Sequence, residues 1–78
     1  MSREIVYEKL NNIFREIFDN DSIVITDNTV ADDIEGWDSL EHINLITAIE
    51  DDFNIKFTMR ELSNMKKVGD MVDLILSK

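Results

Sequence analysis

The first hydrophobic stretch of the chain repeats with the period of an α-helix. In residues 3–18, REIVYEKLNNIFREIF, apolar positions recur every three or four residues. That spacing places side chains on one face of a helix. Ser2 precedes the stretch and can cap its first turn. We therefore predict an amphipathic helix over 3–18. Its inward stripe consists of Val6, Leu10, Ile13, Phe14 and Ile17.

A second helix is predicted from near Asp38 to near Phe53. At about 100° per residue, its side chains divide into two faces. The inward face holds Leu45, Ile46, Ile49 and Phe53, with His42 among them. The outward face holds Leu40, Glu41, Asn44, Thr47, Ala48 and Asp51, and Ile43 lies on the border between the two.

Two further helices are predicted in the last quarter of the chain. In the short stretch 58–65, TMRELSNM, Thr58 and Glu61 have the spacing of a capping box. The last helix is predicted from about Val68 to Ser77, where Gly69 should weaken the first turn. Its inward stripe consists of Val68, Met71, Val72, Ile75 and Leu76.

The segment between the first two helices, residues 19–37, reads DNDSIVITDNTVADDIEGW and is predicted to be a long loop. SIVIT could form a short strand, but no second strand is available to pair with it. We expect its apolar residues to pin the loop onto the helices. The helical stripes can only bury against one another. The fold class is therefore all-α: one domain, 1–78, forming a small bundle of three main helices plus one short helix.

Charge restricts the partners of this domain. The chain has 17 acidic against 8 basic residues, a formal net charge of −9, and no Lys or Arg between Arg15 and Lys56. Such a surface repels nucleic acid and anionic lipid and attracts proteins with basic patches. Solubility alone is the simpler explanation of acidic surface. The N-terminus lacks the apolar run of a signal peptide, and no stretch approaches a membrane span. We therefore expect a cytoplasmic protein.

Metal and nucleophile chemistry find little support in the sequence. Asp19-Asn20-Asp21 has the opening spacing of a calcium loop, but the fifth and twelfth positions, which need oxygen ligands, hold Ile23 and Val30, and the sixth, which needs glycine, holds Val24. A single histidine and the absence of cysteine argue against zinc. His42 follows Ser39 by three residues, but the helical periodicity turns it toward the core. We predict a partly buried polar side chain at His42 and not a catalytic base.

Ser39 is the remaining candidate. An Asp-Ser pair at the start of a helix is a common capping arrangement. Three features favour an attachment site instead. Leu40 should be exposed among acidic residues, where an apolar side chain indicates a binding patch. The helix N-terminus would stabilise a phosphodiester on Ser39. The long loop before the helix would give a modifying enzyme access.

The stretch GWDSLEHINLITAIEDDFNIKF, with DDIEGWDSL before the second helix, closely resembles the modification-site region of acyl carrier proteins. The resemblance extends over nearly the whole chain. It implies that Ser39 carries a covalent 4′-phosphopantetheine arm derived from coenzyme A, with Asp38 and Leu40 as flanking motif residues. A phosphopantetheinyl transferase would attach the arm. Acyl-loading and acyl-processing enzymes with basic patches would be the other partners of a monomeric carrier.

The resemblance also assigns a recognition surface and a pocket. Asn44 replaces the usual acid and Thr47 the usual larger apolar residue, and Trp37 extends the motif by one residue. These departures favour a specialised carrier over the main carrier of fatty-acid synthesis. Ile46 and Ile49 would line an acyl pocket together with residues of the first helix. The implied recognition residues are Glu41, Ile43, Asn44, Thr47, Glu50 and Asp51, together with Asp38 and Leu40.

The expected function is a stand-alone, non-enzymatic carrier. It would hold acyl intermediates as thioesters for fatty-acid, polyketide or other specialised biosynthesis. Two alternatives stay open at this point. One is an aminoacyl or peptidyl carrier, although Asp38 differs from the histidine that peptidyl carriers usually place before the serine. The other is an unmodified acidic helical module that only binds a basic protein.

Overall fold

The computed structural model describes all 78 residues and contains four α-helices and no strand. A single 3₁₀ turn, Ala31–Asp33, interrupts the long loop between the first two helices. This confirms the predicted all-α fold and the order of its elements. The helices are α1 (Arg3–Ile17), α2 (Ser39–Phe53), α3 (Met59–Asn64) and α4 (Val68–Ser77).

One apolar core joins the helices, and α1 packs against both α2 and α4. The predicted stripes supply most of it, but Ile13 and Ile17 are only partly buried, and Leu76 is 37% exposed. Leu76 was expected inside; it lies at the last turn of α4, where little of the bundle remains to cover it. The buried residues are Val6, Leu10, Phe14, Ile23, Ile25, Leu45, Ile46, Ile49, Val68, Met71, Val72 and Ile75.

The SIVIT segment of the long loop is not a strand, and its isoleucines bury as expected. Ile23 and Ile25 belong to the core, while Val24 between them is 70% exposed. Side chains of α1 satisfy the backbone of this segment: Arg15 Nε donates to Ile23 O at 2.8 Å, and Ile25 N donates to Asn11 Oδ1 at 2.9 Å. Buried backbone polar groups need such partners when no neighbouring strand provides them.

The same loop also binds the start of α4. The amides of Val68 and Gly69 donate to the carbonyls of Thr29 and Asp27, each at 2.9 Å. A Cβ atom on residue 69 would lie 2.8 Å from Asp27 O. The prediction that Gly69 only weakens α4 was therefore incomplete, because the missing side chain is what lets the loop approach the helix.

Local hydrogen bonds define three of the helix starts. Ser2 Oγ accepts from Ile5 N at 3.2 Å, as predicted. Thr58 and Glu61 form the predicted capping box, with reciprocal bonds of 2.8 and 3.1 Å. At α2 the cap is Asp38, whose carboxylate accepts from Glu41 N at 2.8 Å. None of the four helices has the length and apolarity required to cross a membrane.

Candidate functional site

Ser39 is the first residue of α2, and its side chain does not stabilise the helix start. Asp38 adopts an extended backbone conformation and caps the helix with its carboxylate. The capping alternative for Ser39 was therefore wrong, since the preceding residue already bonds the first-turn amide. Ser39 is exposed, and its hydroxyl takes part in none of the side-chain hydrogen bonds of the protein. A hydroxyl in this position is accessible for covalent modification.

The turn that leads into Ser39 is fixed by an aromatic cluster. Gly36 has a φ of +90°, a conformation that side chains other than hydrogen rarely allow. The next residue, Trp37, packs its ring against Phe14 in α1 and against Phe18 directly after this helix. The ring centroids lie 5.3 and 6.0 Å apart, respectively. This part of the site was missed by sequence analysis, which noted Trp37 only as an insertion in the motif. Its neighbour Gly36 was the one signal of a tight turn.

His42, one turn after Ser39, is tied to the same tryptophan. Trp37 Nε1 donates to His42 Nδ1 at 3.0 Å, and the two ring planes lie 17° apart. Partial burial lowers the pKa of His42 and favours the neutral ring. The neutral ring with Nδ1 as acceptor carries its proton on Nε2. The expectation of a partly buried polar histidine is confirmed.

The geometry does not form a Ser-His-Asp triad. A triad needs the serine on one ring nitrogen of the histidine and a carboxylate on the other. Here Trp37 occupies Nδ1, and the Asp38 carboxylate bonds the amide of Glu41 instead. Neither the Ser39 hydroxyl nor the Asp38 carboxylate bonds the His42 ring; the one bond between these residues is the helical bond from His42 N to Asp38 O.

A cavity of about 410 Å³ opens beside Ser39 between the start of α2 and the segment that joins α3 to α4. Its wall is half apolar and half polar. Ile46 and Ile49 do not line it; they are packed in the core, with 7% and 0% of their surface exposed. Their assignment to an acyl pocket therefore stays a prediction. The lining residues are Ala31, Trp37, Asp38, Ser39, His42, Met65, Lys66, Lys67 and Met71.

The outer face of α2 presents apolar side chains beside acidic ones. Leu40 and Ile43 are 66% and 63% exposed, and Asn44, Thr47 and Asp51 are exposed around them. Glu41 is half-buried and accepts from Asn44 Nδ2 at 3.3 Å. These positions share one face, as the helical period predicted, but their role in recognition is untested.

Glu50 differs from the other predicted recognition residues. Its carboxylate accepts from Phe57 N at 2.8 Å and so connects α2 to the segment that leads to α3. The bond gives Glu50 a structural role that the sequence pattern did not reveal, because the two residues belong to different elements.

The fold is a small helical bundle with an exposed serine at the start of α2, and comparisons with known proteins identify its family. The family described as "Phosphopantetheine attachment site" matches residues 8–75. The chain is 31% identical to the acyl carrier protein of Thermotoga maritima, with 99% of this chain and 95% of that protein covered. It is 32% identical to that of Lactobacillus acidophilus, with 99% and 96% covered.

A solved relative has the same fold. The solution structure of holo acyl carrier protein from Geobacter metallireducens superposes with a TM-score of 0.87 at 50% identity, covering 92% of this chain and 83% of that one. The chain therefore belongs to the phosphopantetheine attachment site family, in the branch of acyl carrier proteins. It is a carrier and not an enzyme, and the cofactor of this class is covalently attached 4′-phosphopantetheine.

Proposed function

We propose that Ser39 Oγ is the atom that carries the arm. The observation behind this assignment is the exposed Ser39 hydroxyl at the start of α2. It makes no hydrogen bond, since Asp38 and not Ser39 caps the helix. In the transfer, Ser39 Oγ bonds to the phosphorus that carries the pantetheine in coenzyme A. The pyrophosphate bond breaks, 3′,5′-ADP leaves, and the hydroxyl proton passes to a base of the phosphopantetheinyl transferase. The product is a phosphodiester on Ser39.

The carrier would then act by position. The thiol at the end of the arm would attack an activated acyl group; the thioester forms as the bond to the activating group breaks and that group leaves with the thiol proton. The tether then raises the effective concentration of the acyl group at each partner enzyme. The similarity to proteins named acyl carrier protein supports a stand-alone carrier. We place it in the cytoplasm as a monomer that serves fatty-acid, polyketide or other specialised biosynthesis, with aminoacyl or peptidyl cargo as an alternative.

Partner enzymes would dock on the outer face of α2. Leu40 and Ile43 offer apolar contact, and Glu41 and Asp51 offer charge to basic patches. Charges of this kind mainly accelerate encounter, while a small contact area allows fast release. Both properties suit a protein that passes one substrate among several enzymes.

Intact-mass spectrometry tests the attachment site. After incubation with coenzyme A and a broad-specificity phosphopantetheinyl transferase, the protein should gain the mass of one phosphopantetheine. Ser39→Ala should gain nothing. Ser63→Ala is the matched control, since Ser63 is also exposed on a helix and its hydroxyl only bonds Met59 O. A gain that persists in Ser39→Ala would refute the assignment and favour the unmodified acidic module.

Charge reversal tests the docking face. Glu41→Lys with Asp51→Lys should slow the transferase reaction roughly tenfold at low salt, with less effect at high salt. Glu4→Lys with Glu8→Lys makes the same change in net charge on the exposed face of α1. Equal slowing by the two double variants would show that only net charge matters and would argue against a docking face on α2.

A further inference from the structure

Two lysines beside Ser39 have no partner of opposite charge. Four of the eight basic side chains contact a carboxylate or a backbone carbonyl. The other four make neither kind of contact: Lys56, Arg60, Lys66 and Lys67. Of these, only Lys66 and Lys67 line the cavity next to Ser39. In a chain of net charge −9, two unpaired cations at this one place require an explanation.

The backbone that carries these lysines is held in place. The amides of Lys66 and Lys67 donate to the Asp70 carboxylate at 3.0 and 3.3 Å. Directly after them, Val68 N bonds to the loop carbonyl of Thr29. The lysine side chains are flexible, but their starting points on the cavity wall are fixed from both sides.

His42 adds a third donor to the same wall. Its Nδ1 accepts from Trp37, so the proton of the neutral ring is on Nε2. No acceptor of the protein bonds that second nitrogen, and His42 lines the cavity with the lysines. The cavity is therefore lined by two lysines and a histidine whose ammonium and imidazole N–H groups have no acceptor in the protein.

The negative groups nearby are already engaged. The Asp38 carboxylate also lines the cavity, but it accepts the amide of Glu41 as the cap of α2. The charge of Lys67 contributes to lowering the pKa of Asp27, but the Asp27 carboxylate already accepts hydrogen bonds from Tyr7 and Arg3. These acids reduce the positive potential at the cavity without occupying the three donors.

We propose that Lys66, Lys67 and His42 bind the phosphodiester of the arm attached to Ser39 and so fix the base of the arm in this cavity. The inference rests on the proposed attachment at Ser39. An anion that accepts several hydrogen bonds suits such donors. A carboxylate at the end of a cargo has the same chemistry, but the phosphodiester is bonded directly to Ser39 Oγ, which lines the cavity, and cargo lies at the far end of the arm.

Fixing the base of the arm has a functional consequence. The first bonds of a free arm sample many directions, and a partner enzyme must select one of them. An anchored phosphodiester restricts these bonds before the partner arrives, which reduces the entropy lost on docking. The apolar remainder of the wall, formed by Met65, Met71 and Ala31, can then contact the adjoining pantetheine methyl groups.

NMR of the modified protein tests the inference, because His42 is the only histidine of the chain. A phosphodiester beside the ring favours the imidazolium, so the pKa of His42 should rise by about 0.5 from the apo to the holo protein. Nuclear Overhauser contacts should connect the first methylene of the arm with the ε-methylenes of Lys66 and Lys67. Lys66→Gln with Lys67→Gln should shift the ³¹P signal, whereas Lys56→Gln with Arg60→Gln, the matched change of charge, should not.

Defined cargoes separate the two anions. The rise in the pKa of His42 should already be complete in the holo protein with a free thiol. It should not change when a neutral or a carboxylate-terminated acyl group is loaded. A rise that appears only with the carboxylate-terminated group would overturn the assignment to the phosphodiester. If the protein gains the mass of the arm on Ser39 but the pKa of His42 does not rise, this inference alone is overturned. Failure to gain arm mass at all would overturn the proposed attachment and this inference with it.

Discussion

The two halves of the long loop are held in different ways. The anchoring half, residues 22–29, inserts Ile23 and Ile25 into the core and accepts two backbone hydrogen bonds from α4. Its Asp27 carboxylate also accepts from Tyr7 and pairs with Arg3 at 2.8 Å, and Arg3 continues to Asp73 of α4 at 2.9 Å. This half connects α1 to α4 through both its backbone and its side chains.

The presenting half, residues 30–38, has few such connections. Its backbone bonds are mostly local, such as Trp37 N to Ile34 O at 3.3 Å. The only side-chain hydrogen bond that leaves it for another part of the fold, apart from the Asp38 cap, joins Trp37 to His42. The two halves therefore differ in role. The anchoring half stabilises the bundle. The presenting half, which is held by a single aromatic side chain, Trp37, leaves Ser39 accessible to enzymes.

The largest effect should come from emptying the anchoring half. Ile25 is 4% exposed, so Ile25→Ala should reduce the free energy of unfolding by about 2–5 kcal/mol through lost burial and a cavity. Val24→Ala, one residue away and 70% exposed, should change it by less than about 0.5 kcal/mol. Urea denaturation measures both. A similar loss in the free energy of unfolding in the two variants would show that the buried and the exposed position do not differ in their contribution to stability.

A smaller loss is expected where the anchoring half touches α4. An alanine in a helix normally stabilises it by about 1 kcal/mol relative to glycine. At residue 69 the sign should reverse, because the new methyl would lie 2.8 Å from Asp27 O and push the loop away. We expect Gly69→Ala to destabilise the protein by about 1–3 kcal/mol. A stabilised variant in the same urea titration would show that the loop moves aside at no cost.

The presenting half should respond more weakly. Trp37→Phe keeps an aromatic ring against Phe14 but removes the donor to His42, at a cost of about 1 kcal/mol, the net value of one hydrogen bond. Without that donor the neutral ring of His42 loses a partner, so the pKa of His42 should rise toward its ordinary value. An NMR titration measures the pKa, and an unchanged value would mean that burial alone keeps the ring neutral.

Local patterns and long-range contacts differed in how far the sequence could predict them. The helices follow from the period of apolar residues, and the caps of Ser2 and Thr58 follow from residues three positions apart. Gly69 could not be interpreted this way, since its role depends on Asp27, which belongs to the long loop before α2 and lies far from Gly69 in the sequence.

The candidate site shows the same limit. Ser39 followed from a short motif and its resemblance to a family, and the exposure of Leu40 followed from the helical period. The hydrogen bond between Trp37 and His42 and the lysines across the cavity did not. Helical periodicity orders the side chains of one helix, but it carries no information about which loop or later segment will lie beside them.

The smallest effect should be a pH dependence that belongs to the anchoring half. The hydrogen bond from Tyr7, followed by that from Arg3, lowers the pKa of Asp27. The folded protein therefore holds the Asp27 carboxylate ionised at a pH where the unfolded chain, with a pKa of about 3.9, begins to bind a proton. The stabilisation is complete above that pKa and is lost as the pH falls below about 4 and through the folded pKa. Exposure keeps the contribution small. The difference in stability between the native protein and Asp27→Asn should thus be constant near neutral pH and shrink in acid, as urea denaturation over a range of pH would measure. A difference that stays constant down to the acid unfolding transition would mean that the charge of Asp27 contributes nothing to holding this half of the loop.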